Sequence, residues 1–139
     1  MYVTVTSPGL AESAPGWHDG ATLTAYVHQA TLVMSSAADL DAPGTAITLK
    51  LCGSWNHTPP CPFPHHTHVE RTGTTVSVRV LFVSEPENEN VVRERIDKAL
   101  SLGFVTDRTG SSTRWELHGS TPAELTRSEL ARARRLAGV

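Results

Sequence analysis

His66-Thr67-His68-Val69-Glu70, Arg71-Thr72-Gly73, Thr74-Thr75-Val76-Ser77-Val78-Arg79-Val80-Leu81-Phe82-Val83: this stretch holds two extended runs joined by a short glycine-containing connection, and it predicts a β-hairpin. Side chains alternate across a strand, so His66, His68 and Glu70 share one face of the first arm. Val76, Val78, Val80 and Phe82 share one face of the second arm. From Val80 to Val83 that arm is apolar on both faces, the signature of a central strand covered on both sides.

Toward the C-terminus, Asn88 or Asn90 offers a helix cap, and Glu85, Glu87 and Glu89 lie near the positive end of the helix dipole. Val92, Ile96, Ala99 and Leu100 form one apolar stripe, Glu94 and Lys98 pair on the wet side, and Gly103 ends a helix over about 88–102. Residues 113–118 read as a strand with Trp115 and Leu117 on one face. Thr121-Pro122-Ala123-Glu124 then supplies a cap, a proline at the first helical position and an acid at the third, which starts a second helix over about 122–137 with Leu125, Leu130, Ala133 and Leu136 inward. The unit from 76 to 118 should cross over right-handed, with its two strands parallel if they share a sheet.

Toward the N-terminus, Ile47, Leu49 and Leu51 alternate with Thr48, Lys50 and Cys52, the period of a half-buried strand ending at Cys52. Residues 35–44 read as linker and turn, 22–34 as a β-branched strand, 7–20 as loop and 2–6 as a short strand. The expected fold is α+β: a mostly antiparallel sheet of about five strands with two helices (about 88–102 and 122–137) packed on one face.

The 139 residues fit a single α+β domain spanning 1–139, and 39 % apolar residues suffice for one core. A net charge of −2 gives no reason to expect a nucleic-acid partner. Of 12 Lys and Arg residues only Lys50 precedes Arg71. Arg127, Arg132, Arg134 and Arg135, interleaved with Glu124 and Glu129, read as the solvated face of a helix rather than a phosphate patch. No apolar run is long enough to span a membrane, and Met1-Tyr-Val-Thr-Val-Thr has no signal-peptide pattern. The expected compartment is the cytoplasm, where a cysteine pair is more often metal-binding or catalytic than disulfide-bonded.

The chemistry concentrates in the Pro-rich loop and strand at 52–70, where Cys52, His57, Cys61, His65, His66 and His68 fall close together. Thiolate and imidazole are the ligands Zn²⁺ prefers. Cys52, His57 and Cys61 with one later histidine could close a structural zinc site. Alternatively His66 and His68, with His57, Cys61, Glu70 or His118 as third ligand, could leave a position open for a catalytic water acting on a small-molecule substrate. The expectation is therefore a zinc-binding protein, with Cys52, His57, Cys61, His66 and His68 as ligands. The alternative is a non-catalytic interaction module, its loop stapled by metal or a Cys52–Cys61 disulfide, that presents Trp55 and Phe63 to a protein partner. An uncovered sheet face or edge would favour a homodimer. Cys61 with His57 or His65 is a weaker nucleophile–base pair, and His18-Asp19 reads as a loop pair without function.

Overall fold

The computed structural model describes the backbone of residues 3–4 and residues 23–53 and 63–137 in full. In chain order the elements are β1 (Val3–Thr4), β2 (Thr24–Val33), α1 (Ala42–Cys52), β3 (His65–Thr72), β4 (Thr75–Ser84), a 3₁₀ turn (Pro86–Asn88), α2 (Glu89–Ser101), β5 (Phe104–Thr106), β6 (Ser112–Arg114), β7 (Glu116–Ala123) and α3 (Arg127–Leu136). The β3–β4 hairpin forms as expected, with His66 opposite Leu81 and His68 opposite Arg79. Its tight turn carries Gly73 at φ 63, where a residue with a Cβ is strained.

The main sheet has the order β1-β2-β4-β3, and β7 pairs with β2 beyond β1. Every pairing is antiparallel, so β4 and β7, which flank β2, run parallel to each other. The sequence β2-α1-β3-β4-α2-β7 with the spatial order β7-β2-β4-β3 is the split β-α-β arrangement of ferredoxin-like topology. To this are added β1, the separate β5–β6 hairpin and α3. The α+β class and the mostly antiparallel sheet therefore stand.

Residues 42–52 differ from the sequence expectation, being a helix rather than a strand ending at Cys52. The alternation of Ile47, Leu49 and Leu51 also places Ile47 and Leu51 one helical turn apart. Pro43 lies a further turn back, and Ala42 and Ala46 complete the buried stripe. Pro43 in the first turn starts the helix, and Gly53 at φ 80 ends it, its N–H bonding the Leu49 carbonyl at 2.9 Å.

The principal core lies between α1, α2 and one sheet face. Tyr26, Leu32, Val76, Val78, Val80 and Phe82 point into it from the strands, and Ile47, Val92, Ile96 and Leu100 from the helices. Trp115 packs at its rim and donates its indole N–H to the Leu100 carbonyl at 2.8 Å. Among the described residues no helix is long and apolar enough to cross a membrane.

The last helix departs from expectation in two ways. It begins at Arg127, capped by Thr126, and not at Pro122. The pattern Thr-x-x-Glu occurs twice, at 121–124 and 126–129. Residues 116–123 spend the first copy on the ladder with β2, where Pro122 is tolerated on an edge strand. The second copy closes a capping box: the Thr126 N–H reaches Glu129 Oε1 at 2.8 Å, and the Glu129 N–H reaches Thr126 Oγ1 at 3.2 Å. The helix also packs on the opposite sheet face, where Ala133 meets Ala25, Val27, Leu81 and Val83. The face covered by two helices is thus covered by α1 and α2, and α3 accounts for the two-sided burial of the end of β4.

Candidate functional site

The zinc expectation fails first at Cys52, which is disulfide-bonded and so offers no thiolate. The one other cysteine in the sequence, Cys61, lies outside the described residues, as does His57. His66 and His68 do share a face of β3, but His68 Nε2 pairs with the Glu70 carboxylate at 3.0 Å at the surface. His118 lies on β7, at the far edge of the sheet from β3, and pairs with Glu116 at 3.1 Å. Among the described residues no group of three or more His, Cys, Asp or Glu side chains is placed to hold a metal ion. This overturns the reading of the chain as a metal-binding protein.

His65 belongs to the other face. Its Nδ1–H donates to the Phe63 carbonyl at 3.0 Å, and in the neutral ring Nε2 accepts from the Thr48 hydroxyl at 3.1 Å, tying β3 to α1. Phe63 is partly buried against the principal core, with the Arg95 guanidinium 5.2 Å from its ring centroid. Trp55 and the His18-Asp19 pair lie outside the described residues.

A Ser, a His and an Asp converge where sequence reading placed nothing. His28, 3 % exposed in the middle of β2, has Nε2 at 2.7 Å from Ser120 Oγ and 3.1 Å from Asp97 Oδ1. The Ser120 hydroxyl in turn donates to Asp97. The imidazole Nδ1 faces the Arg93 guanidinium at 3.0 Å. A guanidinium only donates, so Nδ1 must accept, and the single ring proton sits on Nε2. His28 therefore donates toward Ser120 and cannot take the hydroxyl proton. A nucleophile–base pair needs the other tautomer. The constellation is a polar brace in which His28 is buried and the Asp97 side chain reaches the surface.

Arg93 anchors that brace. It bonds Glu89 at 2.8 Å and the Val27 carbonyl at 2.9 Å, and lies over the rings of Tyr26 and Phe82 at 5.6 and 5.3 Å. Burial holds the His28 pKa below its ordinary value; Asp97 opposes this, and Arg93 adds to it. The contacts span β2, α2 and β7, far apart in sequence, so no local motif announces them.

The concave surface that collects unspent charge lies on the other face, between α3 and the β3–β4 hairpin. It encloses about 480 Å³. His66, His68 and Glu70 line it from β3, Arg79 and Leu81 from β4, and Arg132 and Arg135 from α3. The strand period puts the first three on this face, and a spacing of three puts both arginines on one side of α3.

Arg79 is already saturated. It donates to both Glu129 carboxylate oxygens at 2.8 Å, to Gln29 Oε1 at 2.6 Å and to the Glu124 carbonyl at 2.7 Å. Arg132 and Arg135 have no hydrogen bond or ion pair among the described residues. Desolvation lowers the His66 pKa, Arg132 and then His68 lower it further, and Glu129 opposes them. The arginines of the C-terminal stretch thus divide, Arg132 and Arg135 lining the cleft rather than a featureless wet face.

Comparison with protein-family models, with curated proteins and with solved structures returned no match.

Proposed function

We propose that the chain binds a small anionic ligand in the cleft between α3 and the β3–β4 hairpin. The observation that carries this reading is the pair Arg132 and Arg135, without an acidic partner among the described residues, facing a cleft whose opposite wall presents His66 and His68. Guanidinium forks recognise carboxylate and phosphate oxygens with two parallel hydrogen bonds, and such charge-assisted bonds are the strong ones. Of the two acids lining the cleft, Glu129 is bonded to Arg79 and Glu70 accepts a hydrogen bond from His68. Arg79 and Glu129 cancel and serve as the rigid floor. The volume falls within the range of small-molecule sites.

Two-dimensional NMR of labelled protein titrated with inorganic phosphate tests the reading. Amides of residues 65–70 and 126–135 are expected to shift together and to saturate. The Arg132→Ala/Arg135→Ala variant, which alters only exposed side chains, should stay folded and bind at least about tenfold more weakly. An unchanged spectrum at millimolar phosphate, or equal binding by the double variant, would sink it.

A further inference from the structure

Among the described residues β3 has one strand neighbour, β4, so its other side is a sheet edge. The Val83 N–H donates to the Pro64 carbonyl at 3.2 Å, continuing the register of the β3–β4 ladder. Residues 64 and 83 thus form a hydrogen-bonded pair, and such pairs alternate along an antiparallel ladder. His66, His68, Glu70 and Thr72 therefore bond β4. Thr67, Val69 and Arg71 turn their N–H and C=O groups outward, where no described group meets them. We propose that this edge pairs antiparallel with β3 of a second copy about a two-fold axis at Val69, joining the two sheets into one.

The outer strands differ in how they discourage further pairing. β7 carries Pro122 and a register shift against Thr31 and Leu32. Prolines and bulges are common protections of an edge. β3 keeps an unbroken register with β4 over its 8 residues and contains neither proline nor lysine. Its one guanidinium, on Arg71, is folded back onto the Ser35 and Ser36 carbonyls at 2.9 Å. An open ladder of this kind is a template for another strand.

Charge complementarity selects a second copy as the added strand and sets the register. With the axis at Val69, Thr67 and Arg71 of one copy form hydrogen-bonded pairs with Arg71 and Thr67 of the other, and Val69 pairs with itself. His68 of each copy then lies directly opposite Glu70 of the other, in non-hydrogen-bonded positions where side chains are closest. The two groups already meet within one strand at 3.0 Å, and their side chains are 56 % and 74 % exposed, so both can reach across the edge. Two-fold symmetry makes the pair twice. Moving the axis to Glu70 sets two carboxylates face to face, which is destabilising. Moving it to His68 sets imidazole against imidazole and turns Glu70 to the less exposed His66.

Sedimentation equilibrium over a range of protein concentrations, in phosphate-free buffer, tests the pairing independently of what the cleft binds. A monomer–dimer equilibrium is expected, with hydrogen exchange at amides 67, 69 and 71 slowed in the dimer. Glu70→Lys changes both symmetry-related pairs at once and should weaken the dimer at least about tenfold. The swap His68→Glu/Glu70→Lys restores opposite charges across an axis at Val69 and should recover most of that loss, whereas an axis at His68 or Glu70 gives no recovery. A monomer at every concentration overturns the proposal. A dimer that ignores Glu70→Lys and leaves amides 67, 69 and 71 unprotected uses another surface and also overturns it. A dimer weakened by Glu70→Lys but not recovered by the swap overturns the register. Protection of those amides only when a peptide of another sequence is added assigns the edge to a foreign strand and overturns self-pairing.

Discussion

Arg79 and Glu129 meet in a two-pronged contact, Nε to Oε2 and a terminal nitrogen to Oε1, both at 2.8 Å, that ties α3 to the centre of the sheet. The same carboxylate closes the capping box with Thr126. One side chain thus both starts the helix and fastens it, in a pair that is 21 % and 16 % exposed. Only Ala133 of α3 is fully buried, so apolar packing holds the helix weakly.

Glu129→Ala is therefore expected to destabilise the fold by roughly 2–3 kcal/mol. Glu129→Gln, which keeps an acceptor for the Thr126 N–H, should cost roughly half as much. Urea unfolding measures both, and hydrogen exchange should locate the loosening in amides 127–136. A loss spread evenly over the sheet would contradict this account of how α3 is held.

Acid should weaken the protein in two stages. The His28 pKa is lowered in the folded state, mainly by burial. As the pH falls below about 6.5 the unfolded chain takes up the proton first, and stability declines until the lower folded value is reached. The Glu129 pKa is lowered chiefly by its hydrogen bonds from Arg79, so its stabilisation is present above its unfolded value and is lost as the pH falls from about 4.5 toward the folded value. Urea midpoints between pH 8 and 5.5 should fall for the wild type and change less for His28→Gln. Equal slopes for the two proteins would remove His28 as the cause. His66, also lowered but less buried, provides the control: His66→Gln should alter the slope less.

Gly103 should resist substitution more strongly than Gly53 does. Both have positive φ, 76 and 80. A Cβ on Gly53 would meet open space, whereas on Gly103 it would lie 3.1 Å from the Trp115 carbonyl. The Gly103 carbonyl also accepts the Trp115 N–H at 2.9 Å, which prevents the backbones from parting. Gly53→Ala is expected to cost about 1 kcal/mol and Gly103→Ala about 2 kcal/mol or more, measured by thermal or urea unfolding.

The disulfide at Cys52 makes a redox prediction. Under native, non-reducing conditions thiol titration should find no reactive cysteine in the folded chain. Reduction, or Cys52→Ser, should lower stability by about 2–3 kcal/mol, a typical cost of losing a disulfide. Mass spectrometry of the alkylated protein reads the first outcome and urea unfolding the second. Two free thiols in oxidised protein would refute the bond.

Much of the fold was legible because its strongest elements carry one period each. The run of valines from Val76 to Val80 fits only a strand, and Val92, Ile96 and Ala99 fit only a helix. Reading failed where two periods or two caps coincided. Ile47 and Leu51 satisfy a strand and a helix alike, and Thr121 competes with Thr126 as a cap until the sheet claims it. The site was legible only in its strand half: the shared face of His66, His68 and Glu70 follows from alternation. Its helical half depends on which side of the sheet α3 covers. That is decided by Arg79–Glu129 and by the apolar ends of β2 and β4, contacts over long sequence distance.

The position of β2 between β4 and β7 also dictates how the chain can be made. His28 sits opposite Val80 on one side and Pro122 on the other. A ribosome adding about 5–20 residues per second therefore holds the β-branched strand 24–33 without either of its long partners for seconds, and completes the ladder only after residue 123 has emerged. Until then its backbone groups are open to other chains, so the yield of folded protein should respond to synthesis rate and to chaperones that shelter bare strands.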